Sequence, residues 1–338
     1  MSFQVFSAPL LSLVEPGQAG ALERLFHPVM LEPGQVLFEE GRPCDWLWVL
    51  HSGAEVSVSR SGAAPGQVVV ARLGPGDTVG EMALVDEGPR SGTAQVLVGG
   101  AASVMAAGDF YVLRDAYHPA AFQLLRKICL ELCARLRGTT DRLVAPSREE
   151  PHAVLVTKRT EPELLDEVRS FRTLPRVVKL ALAQKLGRLD AEDATTVCGE
   201  GEAGDAAYFI ASGAVRVLRR GYLLARLEPG EVFGMVALMD GGPRSASCVT
   251  EGPTRLFRLA REDFEQLFSS GNRFAFQLVD GMARQLVRNL RAADLLLARP
   301  ELSVLPLSLP PFGFLSEAEL AALDFGLVPE STVAPSPA

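Results

Sequence analysis

Several features that would place a protein in a membrane, outside the cell or on nucleic acid are missing from this 338-residue chain. Its five cysteines, Cys44, Cys129, Cys133, Cys198 and Cys248, are odd in number and scattered, which argues against a disulfide framework. Cys129 and Cys133 stand four apart on an expected helix, and packing of both thiols on an apolar face is preferred over metal or redox chemistry. No apolar run approaches the roughly 20 residues of a membrane span, and the opening MSFQVFSAPL lacks the charged start and apolar core of a cleavable leader. Positive charge is in deficit: 33 Lys and Arg against 41 Asp and Glu leave a net charge of −8, so no broad basic surface awaits nucleic acid or anionic lipid. The four histidines, His27, His51, His118 and His152, are dispersed, with no metal-ligand pair at working spacing and no nucleophile motif. The expectation is a cytoplasmic, non-enzymatic protein with no metal and no resident cofactor.

What the chain does contain is a repeat. GEMALVDEGPRSGTA (Gly80 to Ala94) returns as GMVALMDGGPRSASC (Gly234 to Cys248), at an offset of 154. Each copy is preceded by Pro-Gly and an acidic residue, Asp77 or Glu231. The likeness runs further, since Glu40-Gly41-x-x-x-Asp45 returns as Glu200-Gly201-x-x-x-Asp205, and Ser52-Gly53-Ala54 as Ser212-Gly213-Ala214. Downstream, Asp109-Phe110 recurs as Asp263-Phe264 and Ala121-Phe122-Gln123-Leu124 as Ala275-Phe276-Gln277-Leu278. Two copies of about 100 residues each indicate duplicated domains, because a solenoid needs about three or more short repeats. At about 150 residues per domain the length accommodates two, each able to bury its own core.

Local patterning gives each copy the same plan. Residues 9–27 are expected to be helical, with Leu10, Leu11, Leu13, Leu22, Leu25 and Phe26 as apolar positions. Strand signals follow at Val36 to Phe38, Trp46 to Leu50, Val56 to Val58, Val68 to Leu73 and Val96 to Met105, separated by turns bearing Gly or Pro. Short strands at that spacing predict a closed antiparallel sandwich or jelly-roll barrel, an α+β fold with flanking helices. Phe122, Leu125, Ile128, Leu132 and Leu136 then make one helical stripe over 119–143. Residues 144–160 break the periodicity with two prolines and mixed charge and are read as a linker between domains at 1–143 and 161–299. Glu161 to Leu189 is expected to be helical with Leu164, Leu165, Val168, Phe171, Val177, Leu180 and Leu186 buried and Pro175 as an interruption, the second barrel to run from about Ala194 to Leu259, and a second long helix to span 272–298. Residues 300–338 are read as a Pro-rich tail with one short helix opened by a capping box at Ser316-Glu317-Ala318-Glu319.

A short helix opening at a glycine, with an arginine ten residues on, suits a small anion, because free backbone N–H groups and a guanidinium both favour a phosphate. These residues resemble the phosphate-binding cassette of the cyclic nucleotide-binding domain family, which reads roughly Gly-Glu-x-Ala-Leu, a spacer, then Pro-Arg-x-Ala. The chain looks like two such domains in tandem. The resemblance implies a jelly-roll barrel for each, with Glu81 accepting the ribose 2′-hydroxyl and Arg90 pairing with the cyclic phosphate. The backbone of Gly80, Met82, Ala83 and Leu84 would take the remaining oxygens, and Ser91 would add a hydroxyl. The alternative is an empty pocket in which Glu81 and Arg90 pair with each other. In the second copy Met235 stands where Glu81 stands, and a thioether is a weak acceptor. Losing that contact costs on the order of 1–3 kcal/mol. Gly234, Ala237, Leu238, Arg244 and Ser245 therefore form a degenerate second site. Neither copy identifies the base.

The resemblance stops short of an output. A transcription factor of this family carries a basic helix-turn-helix, and the Pro-rich residues after 300 do not look like one. A kinase regulatory subunit carries a docking helix and a substrate-like Arg-Arg-x-Ser segment, absent ahead of the first copy. The expected function is a non-enzymatic, cyclic-mononucleotide-responsive regulator that binds cAMP or cGMP in the first domain and signals by contact with an unidentified protein partner. The alternative is a ligand-free scaffold that keeps the fold as an interaction surface. For the two long helices, self-association into a homodimer and packing of the two domains on each other both stay open.

Overall fold

The computed structural model describes residues 20–298, apart from 21, 63–65, 143–156, 169–170, 173, 175, 220–221 and 271. Most of the expected helix at 9–27, nearly all of the linker and the whole 300–338 tail lie outside the described residues. His27, placed at the end of that helix, instead opens β1 (His27–Leu31). The error has a local cause: Pro28 breaks the strand pattern of HPVML, and Pro is tolerated only at sheet edges, where β1 indeed lies.

In the first half, eight strands form two open antiparallel sheets. One runs β1, β8 (Gly100–Ala106), β3 (Trp46–Leu50), β6 (Thr78–Val79). The other runs β2 (Val36–Phe38), β7 (Thr93–Val98), β4 (Glu55–Ser61), β5 (Gln67–Leu73). Leu31, Trp48, Val56, Val79 and Val96 from both sheets share one core, so the sheets pack face to face. Among the described residues no ladder joins their edges, and the closed barrel expected from the strand spacing is not what the hydrogen bonds draw. The apparent strand Val96 to Met105 is two strands, β7 and β8, separated at Gly99.

After β6 come the helices α1 (Glu81–Asp86), α2 (Ala107–Asp115) and α3 (Pro119–Asp141). Pro119 at the first position of α3 needs no backbone donor, and His118 accepts the Ala120 N–H at 3.1 Å. Its stripe of Phe122, Leu125, Ile128, Leu132 and Leu136 is buried as expected, together with Cys129 and Cys133, which are packed thiols.

The second half begins with β9 (Lys158–Arg159), a 3-10 helix (Pro162–Glu167) and α4 (Arg176–Lys185). It continues with β10 (Leu186–Ala191), β11 (Thr196–Cys198), β12 (Ala206–Arg219), β13 (Tyr222–Leu227) and β14 (Val232–Phe233). Last come α5 (Met235–Asp240), β15 (Ser247–Ala260), α6 (Arg261–Ser270) and α7 (Arg273–Ala298). β12 and β15 are each 14 residues long and tie the strands into one open seven-stranded sheet, β13-β12-β15-β10-β9 with β11 on β15 and β14 on β12. The helical stretch expected over 161–189, with its interruption at Pro175, appears as the 3-10 helix and α4 but ends at Lys185. Leu186 and Leu189 belong to β10, while Val177 and Leu180 of α4 are exposed at 60% and 45%. Leu186 and Leu189 of β10 lie on opposite faces and enter different apolar clusters, so they recur three apart and imitate a helix period.

α3 and α7 pack along each other, and one apolar cluster runs through both halves, including Leu124, Ile128 and Leu132 of α3, Met282, Leu286 and Leu290 of α7, and Phe209 and Phe257 of the second sheet. Among the described residues no helix is long and apolar enough to cross a membrane.

Candidate functional site

The first cassette turns on Gly80. Its φ of 98° lies in the left-handed region, and a Cβ there would collide with the Arg90 guanidinium, so glycine is required on both counts. From that turn α1 carries Glu81, Met82 and Ala83 to one wall of a small cavity, and the loop after α1 returns Arg90 and Ser91 to the other. Phe38, Val58, Leu73 and Arg135 complete the lining. Six of the seven expected residues therefore meet at one point. The Leu84 side chain does not; it turns into the core.

Glu81 and Arg90 are 1% and 3% exposed, yet they do not pair with each other. Arg90 donates from Nη1 to the Gly80 carbonyl at 3.0 Å and from Nη2 to the Trp46 carbonyl at 2.6 Å. Its guanidinium lies 4.1 Å from the Phe38 ring centre, and its Nε is buried without a partner. Burial pushes the Arg90 guanidinium below its ordinary pKa, with the charges of Cys44, Asp45 and Glu81 pulling the other way. Glu81 is met through Oε1 by Arg135 of α3, while its Oε2 is buried and unpartnered. Burial would lower the Arg135 pKa, but the Glu81 and Asp294 charges outweigh it and raise it. Between these groups only about 20 Å³ is open to the centre of a water molecule, room for about one water. Two residues that line one cavity thus carry a buried donor and a buried acceptor, both unsatisfied. Such orphans are rare in folded proteins, and each asks for a partner.

The second cassette repeats the backbone and changes the chemistry. Gly234 has φ 78°, and Arg244 donates from Nη1 to the Gly234 and Ala206 carbonyls at 2.8 and 2.7 Å, the two carbonyls equivalent to those that Arg90 meets with Nη1 and Nη2. Arg244 also donates from Nη2 to Asp205 at 3.0 Å, and Asp205 is held from the far side by Arg258 at 2.6 Å. Burial would raise the Asp205 pKa, but Arg258 and Arg244 overcome it and leave it below the ordinary carboxylate range. The second arginine thus already has an anion. Among the described residues Arg90 has no carboxylate within ion-pair distance.

The second cavity is larger, about 70 Å³ by the same measure, and mostly apolar. Gly234, Ala237, Arg244 and Ser245 line it beside Met235, Cys198, Cys248 and Phe233, whereas Leu238 belongs to the core. Both long helices reach it, α3 with Leu136 and Thr140, α7 with Asn289, Ala292 and Ala293. Arg135 and Asn289 are equivalent at the offset of 154, as are Val104 and Arg258. Sequence reasoning missed both pairs, although extending the repeat alignment past the cassettes would have shown them. Among the described residues no cluster of His, Cys, Asp and Glu is placed to hold a metal ion.

Comparison with known proteins agrees with this duplicated arrangement. The profile of the family described as "Cyclic nucleotide-binding domain" matches residues 28–117 and 189–270, about half of the chain in two separate stretches. The chain is 24% identical over 281 residues to a cAMP-dependent protein kinase regulatory subunit of Dictyostelium discoideum, covering 80% of this chain and 71% of that protein. It is 27% identical over 238 residues to the protein of the same name from Yarrowia lipolytica, covering 70% of this chain and 52% of the relative. A Cyclic AMP receptor protein of Thermus thermophilus is 39% identical over 126 residues, 36% of this chain and 56% of that protein. The chain therefore spans about half to seven-tenths of the length of these relatives. With two profile matches on two copies of one cassette, the chain belongs to the cyclic nucleotide-binding domain family and carries two such domains in tandem.

Proposed function

We propose that this protein is a non-enzymatic regulator that responds to a cyclic mononucleotide, cAMP or cGMP, bound in its first domain, and that it signals by contact with another protein. The observation that carries the reading is that Arg90 and Glu81 line one cavity while each keeps a buried polar atom, Nε and Oε2, without a partner. A cyclic phosphodiester supplies the anion that a buried guanidinium lacks, and a ribose hydroxyl supplies a donor for a carboxylate oxygen. Gly80, Met82, Ala83, Leu84 and Ser91 are assigned the remaining ligand contacts. The domains are taken as 1–143 and 161–299, with 144–160 as linker and 300–338 as tail. In the second domain Asp205 occupies Arg244 and Met235 replaces the acceptor, so that site is assigned no cyclic nucleotide. That two relatives are named regulatory subunits supports a regulatory role over a catalytic one.

One observation favours the scaffold reading instead: Arg135 already sits on Glu81, and the cavity holds little more than a water. A ligand must widen this cavity to reach Glu81 Oε2 beside the Arg135 pair on Oε1. Calorimetric titration of the full chain with cAMP and cGMP separately decides between the two. One binding event per chain, lost in Arg90→Ala and kept in Arg244→Ala, is the expected result. Absence of heat with both nucleotides overturns the sensor reading, and equal loss in the two variants overturns the assignment to the first domain.

A further inference from the structure

The spacer Asp86-Glu87-Gly88-Pro89 links α1 to Arg90 and decides where that guanidinium points. No strand pairing covers it, and Glu87 holds a positive φ of 55°, unusual for a residue with a side chain. Its own contacts are few: the Gly88 N–H donates to Asp86 Oδ1 at 3.0 Å, and Arg114 of α2 pairs with Glu87. The rest of its support comes from the other domain. Arg291 of α7 donates from Nε to Asp86 Oδ2 at 2.8 Å and from Nη2 to Asp86 Oδ1 at 3.0 Å. The same Nη2 donates to the Pro89 carbonyl at 2.9 Å, and Arg284, also on α7, donates to Glu87 at 3.1 Å. One guanidinium thus spans the spacer from its first residue to its last, gripping the carbonyl of the peptide unit that leads into Arg90.

The same device recurs with the domains exchanged. Arg137 of α3 lies 154 residues before Arg291, and it clasps Asp240, the equivalent of Asp86, at 2.7 and 3.0 Å. Each long helix therefore latches the cassette of the other domain, and the two halves face each other as a pseudo-symmetric pair within one chain. The latches are unequal. The second spacer has Gly241 where the first has Glu87, so it takes its left-handed turn without strain, and α3 has Leu130 where α7 has Arg284. More of the cross-domain support is spent on the first site, where the arginine lacks a carboxylate.

We infer that Arg291 is a positioning residue for the first site, so that the second domain, its own arginine already neutralised, completes the ligand site of the first through α7. This rests on the reading that the first domain binds a cyclic mononucleotide. Linkage makes the coupling reciprocal: nucleotide held by Arg90 steadies the spacer and tightens the grip of α7, and release of Arg291 loosens the nucleotide.

The test uses the full-length chain in four forms, wild type, R291A, R291K and R137A, measured by calorimetric titration with cAMP and cGMP and by thermal unfolding. R137A breaks the matching latch on the second cassette and serves as the control for a merely structural effect. The expected result is a loss of affinity of about tenfold in R291A, a smaller loss in R291K, which keeps the charge without the bidentate grip, and affinity within about twofold of wild type in R137A at a comparable loss of Tm. If R291A does not fold, D86N removes the other end of the latch and is expected to weaken binding similarly. Wild-type protein that binds, with R291A and D86N binding equally well, overturns the positioning role and leaves the site assignment standing. Wild-type protein that binds neither nucleotide overturns both.

Discussion

At the residue scale the first site is a balance of buried charges. Glu81 lies close to Arg90, Arg135 and Glu131, and its charge pushes the pKa of each of these three upward. Glu131 of α3 accepts the Thr78 hydroxyl at 2.5 Å and is pushed up to about 7, chiefly by burial, with the charges of Glu81 and Asp77 adding to it against Thr78 and Lys127. Its folded value therefore lies above the ordinary carboxylate value. As pH rises from about 4.3 towards 7 the unfolded chain loses this proton before the folded one does, so stability falls across that window and then levels. Glu131→Gln removes the effect. Urea unfolding should find the variant more stable than wild type at pH 8, by up to about 3 kcal/mol, with the two converging near pH 4.5. An offset that is the same at every pH would contradict the assignment.

At the element scale each cassette and the long helix above it have changed together. Glu81 faces Arg135 in the first domain; in the second, Met235 shares its cavity with Asn289. The paired difference bears on any attempt to restore the second site. Met235→Glu places a carboxylate at a position 2% exposed with no arginine above it, and an uncompensated buried charge costs about 3–5 kcal/mol. Met235→Glu with Asn289→Arg rebuilds the first domain's pair across the same two elements and should recover most of that loss in urea unfolding. A double variant no more stable than the single one would show that the two helices do not present these positions equivalently.

The same comparison explains what was legible in advance. α3 and α7 were readable because their stripes are amphipathic over more than 20 residues, and observed Pro119–Asp141 and Arg273–Ala298 fall within a few residues of the expected 119–143 and 272–298. The cassette residues were readable because the repeat isolates them. Arg135, Asp205 and Arg258 were not, since each acts through a residue 39 or more positions away, and no local period reports such a partner. β10 was misread because Leu186 and Leu189, three apart, are buried on opposite faces, so the apolar–polar alternation that marks a strand is missing from Leu186 to Leu189.

At the scale of the whole molecule the two halves share an interior. Each sheet has a small core of its own, but the largest apolar cluster belongs to neither half, running from Phe110, Leu125 and Leu132 into Val279, Leu286 and Phe257. Phe276 of α7 packs on Tyr117 at 5.4 Å and on Phe122 at 5.6 Å, and Thr139 donates to Asp294 across the helices at 3.3 Å. Separating the halves would expose these faces together with the Arg137–Asp240 and Arg291–Asp86 latches. Calorimetric unfolding of the full chain should therefore show one cooperative transition rather than two. Leu286→Ala, at a fully buried position of α7, should lower that transition by about 2–5 kcal/mol without splitting it. The shared interior also fixes how a ligand acts. A nucleotide bound only in the first domain at a hundredfold excess over its Kd contributes about 2.7 kcal/mol, and in a coupled molecule that increment moves the single transition as a whole. Two transitions, of which the nucleotide shifts only one, would mean that the domains respond independently and that α3 and α7 carry no signal between them.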